Sequence, residues 1–312
     1  MSVQAPAQVQ TAPVALPAVH SELVRRQTRL AWWLLLPSLL VVALVALVPL
    51  AQTVLASFTN ERLASNRAVQ FVGLKNYASL LTDDAFWHSI GVTVLFTILT
   101  VVFELVLGMG IALVVNSNFK GRGAMRAAML VPWAIPTVVS AQMWRFMYHD
   151  VYGVFNDFLV VRLHVLPQNV AWIADPATSI PAIAAIDIWK TTPFMALLLL
   201  AGLQVIPTDI YEAADVDGAN PVQQFISLTL PLLRPALVVA LIFRTLDALR
   251  VFDVFYVIFG NRADTQTMAI YAQQTIVSFS DMGYGSAISV AIFLIIGIFV
   301  VAYVTIFKVE QS

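Results

Sequence analysis

Six times along this chain, about twenty or more consecutive residues are predominantly apolar, at approximately 30–50, 89–115, 127–147, 182–205, 236–259 and 286–307. A helix needs about 20 residues to cross the hydrocarbon core of a bilayer. Inside that core every backbone N–H and C=O must be satisfied by the chain itself, which leaves only helices and closed barrels. Runs of this length exceed the roughly 9–11 residues of a barrel strand. The expected fold class is therefore an all-α integral membrane protein with six transmembrane helices. The charged fraction agrees, at 11% against about 25% in soluble domains. With no cysteine in the chain, disulfides, thiolate catalysis and cysteine metal sites are excluded. A net charge of −1 without a basic cluster gives no reason to expect a nucleic-acid partner.

The polar intervals set the topology. Residues 1–29 read as a disordered cytoplasmic tail: the first part is Ala-, Pro-, Val- and Gln-rich, and Arg25, Arg26 and Arg29 stand just before the first apolar run. Positive charge flanking a span marks the cytoplasmic side. Lys120, Arg122 and Arg126 do the same between the second and third spans. Six crossings return the C-terminus to the cytoplasm and put the interval 206–235 there too. Residues 30–88 form a first span and an external loop, and 89–308 a second unit holding the other five spans. VYGVFNDFLV, between the third and fourth spans, reads as a helix lying at the membrane interface.

Charges inside the spans are costly and mark sites of pairing or water access. Asp187 and Lys190 lie three apart in the fourth span and are expected to pair on one helix face. Arg244, Asp247, Arg250 and Asp253 make a drifting stripe along the fifth. The first two suit a network between helices, the last two a solute path. Glu104 in the second span calls for a basic partner on another helix. Pro132 and Pro136 should interrupt the third span, freeing carbonyls around Trp133. The four histidines are scattered without metal-ligand spacing, and there is no hydrolase signature and no GxxxxGK[ST].

The interval 206–235, IPTDIYEAADVDGANPVQQFISLTLPLLRP, is the longest polar break late in the chain. Pro207 can open a helix, with Thr208 or Asp209 as cap. Gly218 and Asn220-Pro221 should end it, and a second helix should run from Val222 to Pro231. Glu212-Ala213-Ala214, Gly218, Leu228 and Leu230-Pro231 fall in the spacing EAA-x3-G-x9-I-x-LP, with Leu for the usual Ile. This resembles the EAA loop of ABC importer membrane subunits. Gly73-Leu74-Lys75-Asn76-Tyr77, WKTTPFMALLLLAGLQVIP from Trp189, FRTLDALRVFDVFYVI from Phe243 and GYGSAISVAIFLI from Gly283 are similar to the sugar-importing permeases for maltose, trehalose and other oligosaccharides. At Gly260-Asn261-Arg262, related permeases usually have Gly-Gly-Pro.

The resemblance implies a type I ABC importer transmembrane domain. Its EAA loop (Glu212, Ala213, Ala214, Gly218, Leu230, Pro231) would dock an ATPase subunit. By similarity to the maltose permease, sugar contacts would fall on Trp133 and Thr137, on Asp187, Lys190, Thr191 and Phe194, and on Leu246, Leu249 and Arg250. Implied partners are a second homologous permease, two ATPase subunits holding ATP–Mg, an external sugar-binding protein, the sugar and membrane lipid. The chain itself would bind no cofactor or metal and catalyse nothing. An ion-coupled secondary transporter, with Glu104, Asp187 and Lys190 as a proton relay, is the alternative reading.

Overall fold

The structure, a computed structural model, describes residues 19–306. Most of the expected tail, the Phe307 end of the sixth span and the C-terminal Lys308–Ser312 lie outside the described residues. The chain divides into two units, one up to Gln52 and one from Thr53 onward. The expected division fell at residue 88; by contact, the loop after the first span groups with the later spans. Hydrogen bonds explain why. Asn76 Nδ2 donates to the carbonyls of Ser57 and Thr59 at 2.8 and 2.9 Å, Tyr77 Oη shares a 2.6 Å bond with Ser57 Oγ, and Gly283 N donates to Glu61 O at 2.9 Å.

In the first unit, helix α1 (Val19–Val42) continues through a π-helical turn at Ala43–Leu47. Residues 19–29 of the expected tail are helical. That stretch has no Gly or Pro, and its Leu, Arg and Gln are good helix formers.

Five helical segments are long and apolar enough to cross a membrane: Val24–Ala56, Asp84–Asn116, Pro176–Leu203, Pro221–Phe259 and Met282–Tyr303. Arg122–Ala134 and Thr137–Met147 make a sixth if counted as one crossing, and they meet at 87°. Among the described residues there is no strand, only isolated bridges at Thr59–Phe71 and Arg62–Asp281. VYGVFNDFLV holds only a short helix, Val154–Asn156, and a π-helical turn, Asp157–Arg162.

The core of the second unit lies between α2 (Asp84–Asn116), α4 (Pro176–Leu203) and α6 (Leu230–Leu249). Ile183, Ile186 and Phe96 fill one part with Phe255 from α7 (Asp253–Phe259). Met195, Leu199, Leu203 and Leu233 fill another. Gly202 sets the approach of α4 to α6: a Cβ there would lie 2.4 Å from Ala236 Cβ and 2.7 Å from Leu233 Cδ1. The bent third crossing ends in α3 (Thr137–Met147), beside α7.

Asp83 starts α2. Its Oδ1 accepts from the N–H groups of Ala85 and Phe86 at 3.0 and 3.2 Å, an N-cap that satisfies otherwise orphaned donors. Its Oδ2 accepts 2.5 Å hydrogen bonds from Tyr271 of α8 (Met268–Gln273) and Tyr284 of α9 (Met282–Ile306). Partial burial pushes the carboxyl up, but the two phenols and the two backbone donors outweigh it and hold the group below its ordinary range. In the last interval Arg262 donates to Ile173 O at 2.7 Å, pairs with Asp264 and lies 4.5 Å over the Phe259 ring.

Two outcomes are expected. Gly202→Val overpacks the α4–α6 contact, costing about 1–3 kcal/mol, read as a lowered unfolding temperature in detergent; an unchanged midpoint would contradict the close approach. Asp83→Ala loses about 1–2 kcal/mol at neutral pH. Because the folded-state pKa is depressed, this contribution is present above the ordinary aspartate range and lost as pH falls through the lowered value. The stability gap between wild type and variant should therefore close in acid.

Candidate functional site

Two places stand out, one at mid-chain depth in the bundle and one at its polar end. The first is built around Arg244 on α6, whose side chain is only 3% exposed. Its Nε and Nη2 grip both oxygens of Glu104 on α2, the Nη2–Oε1 bond measuring 3.0 Å. Nη2 also donates to Asp187 on α4, and Nη1 to Asp247 at 2.8 Å. Thr191 adds a hydrogen bond to Glu104 and one of 2.6 Å to its own helix at Asp187 O. A guanidinium presents five donors in a planar fork, which is why one arginine can serve three carboxylates. The basic partner expected for Glu104 is therefore Arg244.

Asp187 does not pair with Lys190. The tertiary partner displaces the local i,i+3 one, because a buried carboxylate gains more from a fork of donors than from one flexible ammonium. Lys190 Nζ instead donates to Ile135 O at 2.7 Å and to Trp133 O at 3.3 Å. These are carbonyls at the break of the third crossing. Ile135 and Pro136 adopt extended ψ of 130° and 138°, and Pro136 has no N–H to give. Glu104, Asp187 and Lys190 thus form no continuous chain of hydrogen bonds: the acids converge on Arg244, and the lysine turns to backbone.

Beside this cluster lies a polar cavity of about 260 Å³, lined by Trp133, Thr137, Asp187, Lys190, Thr191 and Arg250 among others. A second cavity of about 510 Å³, lined partly by Phe194, Phe243, Leu246, Phe293 and Ile296, shares Trp133, Thr191, Arg244, Asp247 and Arg250 with it. The Trp133 and Phe194 rings stack at 5.9 Å between centroids and 11° between planes. Eight of the nine positions expected to contact solute line one or both cavities. Leu249 does not: it is buried in the core, one residue before α6 gives way and Arg250 takes up a non-helical conformation. The expected stripe breaks there, so Asp253 starts α7 rather than extending α6. The sequence reading missed Phe243, Phe293 and Ile296. In an apolar span such residues carry no mark until a cavity is seen beside them. Asp247, expected to suit a network between helices, pairs with Arg244, and its side chain, 65% exposed, also lines both cavities.

The second place is the EAA interval. Helix α5 (Thr208–Val216) is preceded by Pro207 at the cap position, not by Thr208 or Asp209. Gly218 follows with φ +77°, the left-handed turn that glycine adopts without strain. Asn220 then caps the next turn reciprocally with Gln223, and Pro221 occupies its first position. Gln224 Nε2 donates to Asp215 at 2.6 Å and to Ala219 O at 3.0 Å, and Tyr211 Oη shares a 2.9 Å bond with Thr229. The helix-turn-helix knob formed by residues 208–225 is thereby braced on both sides. Glu212 and Ala213 face solvent, Ala214 is buried, and Val216 is exposed. The second helix does not end at Pro231 as expected. It runs on through Pro231 and Pro235 to Leu249, because a π-helical turn at Phe225–Thr229 shifts the hydrogen-bond register ahead of Pro231.

Residues 104–308 match the family described as the binding-protein-dependent transport system inner membrane component. The trehalose/maltose transport system permease protein MalF of Thermococcus litoralis is 44% identical over 94% of this chain and 98% of its own length. The sulfoquinovosyl glycerol transport system permease protein SmoG of Agrobacterium fabrum is 43% identical over 85% of each chain. The trehalose transport system permease protein SugA of Mycobacterium tuberculosis is 35% identical over 90% and 89%. In fold, the chain is similar to one from a bacterial ABC transporter involved in the import of the acidic polysaccharide alginate, with a TM-score of 0.78 at 20% identity, covering 95% of this chain and all of that one. On these matches, the chain belongs to the family of binding-protein-dependent transport system inner membrane components, the multi-pass permeases of ABC transport systems.

Proposed function

We propose that this chain is the permease subunit through which a sugar, of the di- or oligosaccharide class that includes maltose and trehalose, enters the cytoplasm. The observation that carries the reading is the pair of joined cavities at Arg244, where charged and hydroxyl groups meet the Trp133–Phe194 stack. Aromatic faces suit the apolar faces of pyranose rings, and the side chains around them suit hydroxyls. The names of the relatives above point the same way. Trp133, Thr137, Asp187, Lys190, Thr191, Phe194, Leu246 and Arg250 are the proposed lining of the path.

Coupling is assigned to the braced knob. Glu212, Ala213, Ala214 and Gly218, with Leu230 and Pro231 beneath them, would seat in a separate ATPase subunit. Two such subunits would hold ATP–Mg, a second homologous permease would complete the pore, and an external sugar-binding protein would deliver the solute. Both termini then lie in the cytoplasm. Closure of the ATPase pair would carry the knob as a rigid body and switch the bundle between inward- and outward-facing states, which requires that nucleotide-bound ATPases favour one state over the other.

Gly218→Val forces a branched residue into left-handed backbone, costing about 1–2 kcal/mol. Together with Glu212→Trp it should cut the ATPase subunits co-purifying with the permease about tenfold, while both variants still insert in the membrane. Normal recovery of ATPase with both would reject the knob as the docking element. In vesicles carrying the chain with its partner subunits, labelled trehalose, maltose and glucose are offered with and without internal ATP. Accumulation of a di- or oligosaccharide only with ATP is the expected result; accumulation collapsed by an uncoupler and indifferent to ATP would overturn the importer reading.

A further inference from the structure

The fourth helix holds one residue of the bent third crossing at two points. Lys190 Nζ takes the backbone carbonyl of Trp133, together with that of Ile135, and Phe194, one turn further along α4, stacks flat on the Trp133 ring. The spacing of four residues puts both grips on one face of α4. The crossing needs such a hold. At an 87° break the regular helix bonds are lost, Pro136 supplies no donor, and carbonyls left bare at membrane depth cost free energy. Trp133 nonetheless stays half exposed and lines both cavities. Lys190 is the nearest cation to Asp187 along the helix, yet Asp187 is already served by Arg244, which leaves the lysine for the carbonyls.

We infer that Lys190 is a positioning residue: it fixes the break in the third crossing and so sets where the Trp133 indole stands in the solute path. Its Nζ carries three donors, of which two are spent on Trp133 and Ile135. Replacing it with an apolar side chain leaves two carbonyls without a donor, and the arms on either side of the break lose their fixed angle. Arginine, also a long donor with more than one N–H, can reach the same two oxygens and should keep the angle. The consequence for solute rests on the sugar-permease reading above; the grip on the break does not.

The chain has no cysteine of its own, so Met125→Cys and Met143→Cys, both exposed and one on each arm, can carry spin labels in the assembled transporter in lipid. Pulsed EPR should give one narrow distance distribution in this background. With Lys190→Met it should broaden or shift, and with Lys190→Arg it should return. In uptake of whichever of trehalose or maltose the wild type accumulates, Lys190→Met should raise KM about tenfold, and Lys190→Arg should recover most of it. An unchanged distribution in Lys190→Met overturns the inference whatever uptake does. A changed distribution with unchanged KM overturns the placement of Trp133 in the solute path. If the wild type accumulates no sugar, the functional reading fails, and the distance measurement still decides the grip. Should Lys190→Met not assemble, Lys190→Gln, with a single amide donor group, should broaden the distribution part-way; a Gln variant identical to wild type counts against the inference.

Discussion

A guanidinium cannot shed its charge, and taking it out of water costs several kcal/mol unless it is met in full. Arg244 is the place where this chain meets that requirement, and the bundle is arranged around it. Glu104 comes from α2, Asp187 from α4 and Asp247 from one turn along α6. Removing any one acid would leave buried donors unserved, and removing the arginine would leave carboxylates crowded together without a counter-ion. The three helices that form the core are thus tied by a single polar knot as well as by apolar packing. The two cavities open along the edge of that knot, where Asp247 remains largely exposed.

The elements most legible in the sequence were those written in local chemistry. Long apolar runs announced spans, Gly218 and Asn220-Pro221 announced a turn, and the Pro132–Pro136 pair announced a break. Each depends on the residue itself or on its immediate neighbours, so it survives folding. The EAA spacing was legible for the same reason.

What misled was competition from distant partners. Asp187 and Lys190 have the right spacing to pair, and only the fold reveals that Arg244 outbids the lysine while the broken crossing offers it carbonyls. Pro231 has every local reason to end a helix, yet the π-helical turn ahead of it lets the rod continue. Leu249 and Arg250 are adjacent and looked equivalent as solute contacts, but the end of α6 turns one into the core and the other to the cavity. Phe243 and Phe293 are indistinguishable by type from lipid-facing neighbours. Register, bends and cavity walls are decided by tertiary geometry, which single-chain periodicity does not carry.

Because the helix after the knob passes through Pro231 without stopping, Pro221 and Arg244 lie on one rod. At 1.5 Å per residue they are about 35 Å apart. A stiff rod of that length multiplies angle into distance: a tilt of about 5° at the knob moves Arg244 by ~3 Å, the length of a hydrogen bond. The ion cluster is then a sensitive detector of leverage. Seated that far along the rod, it would feel even a small tilt as a displacement comparable to its own bond lengths.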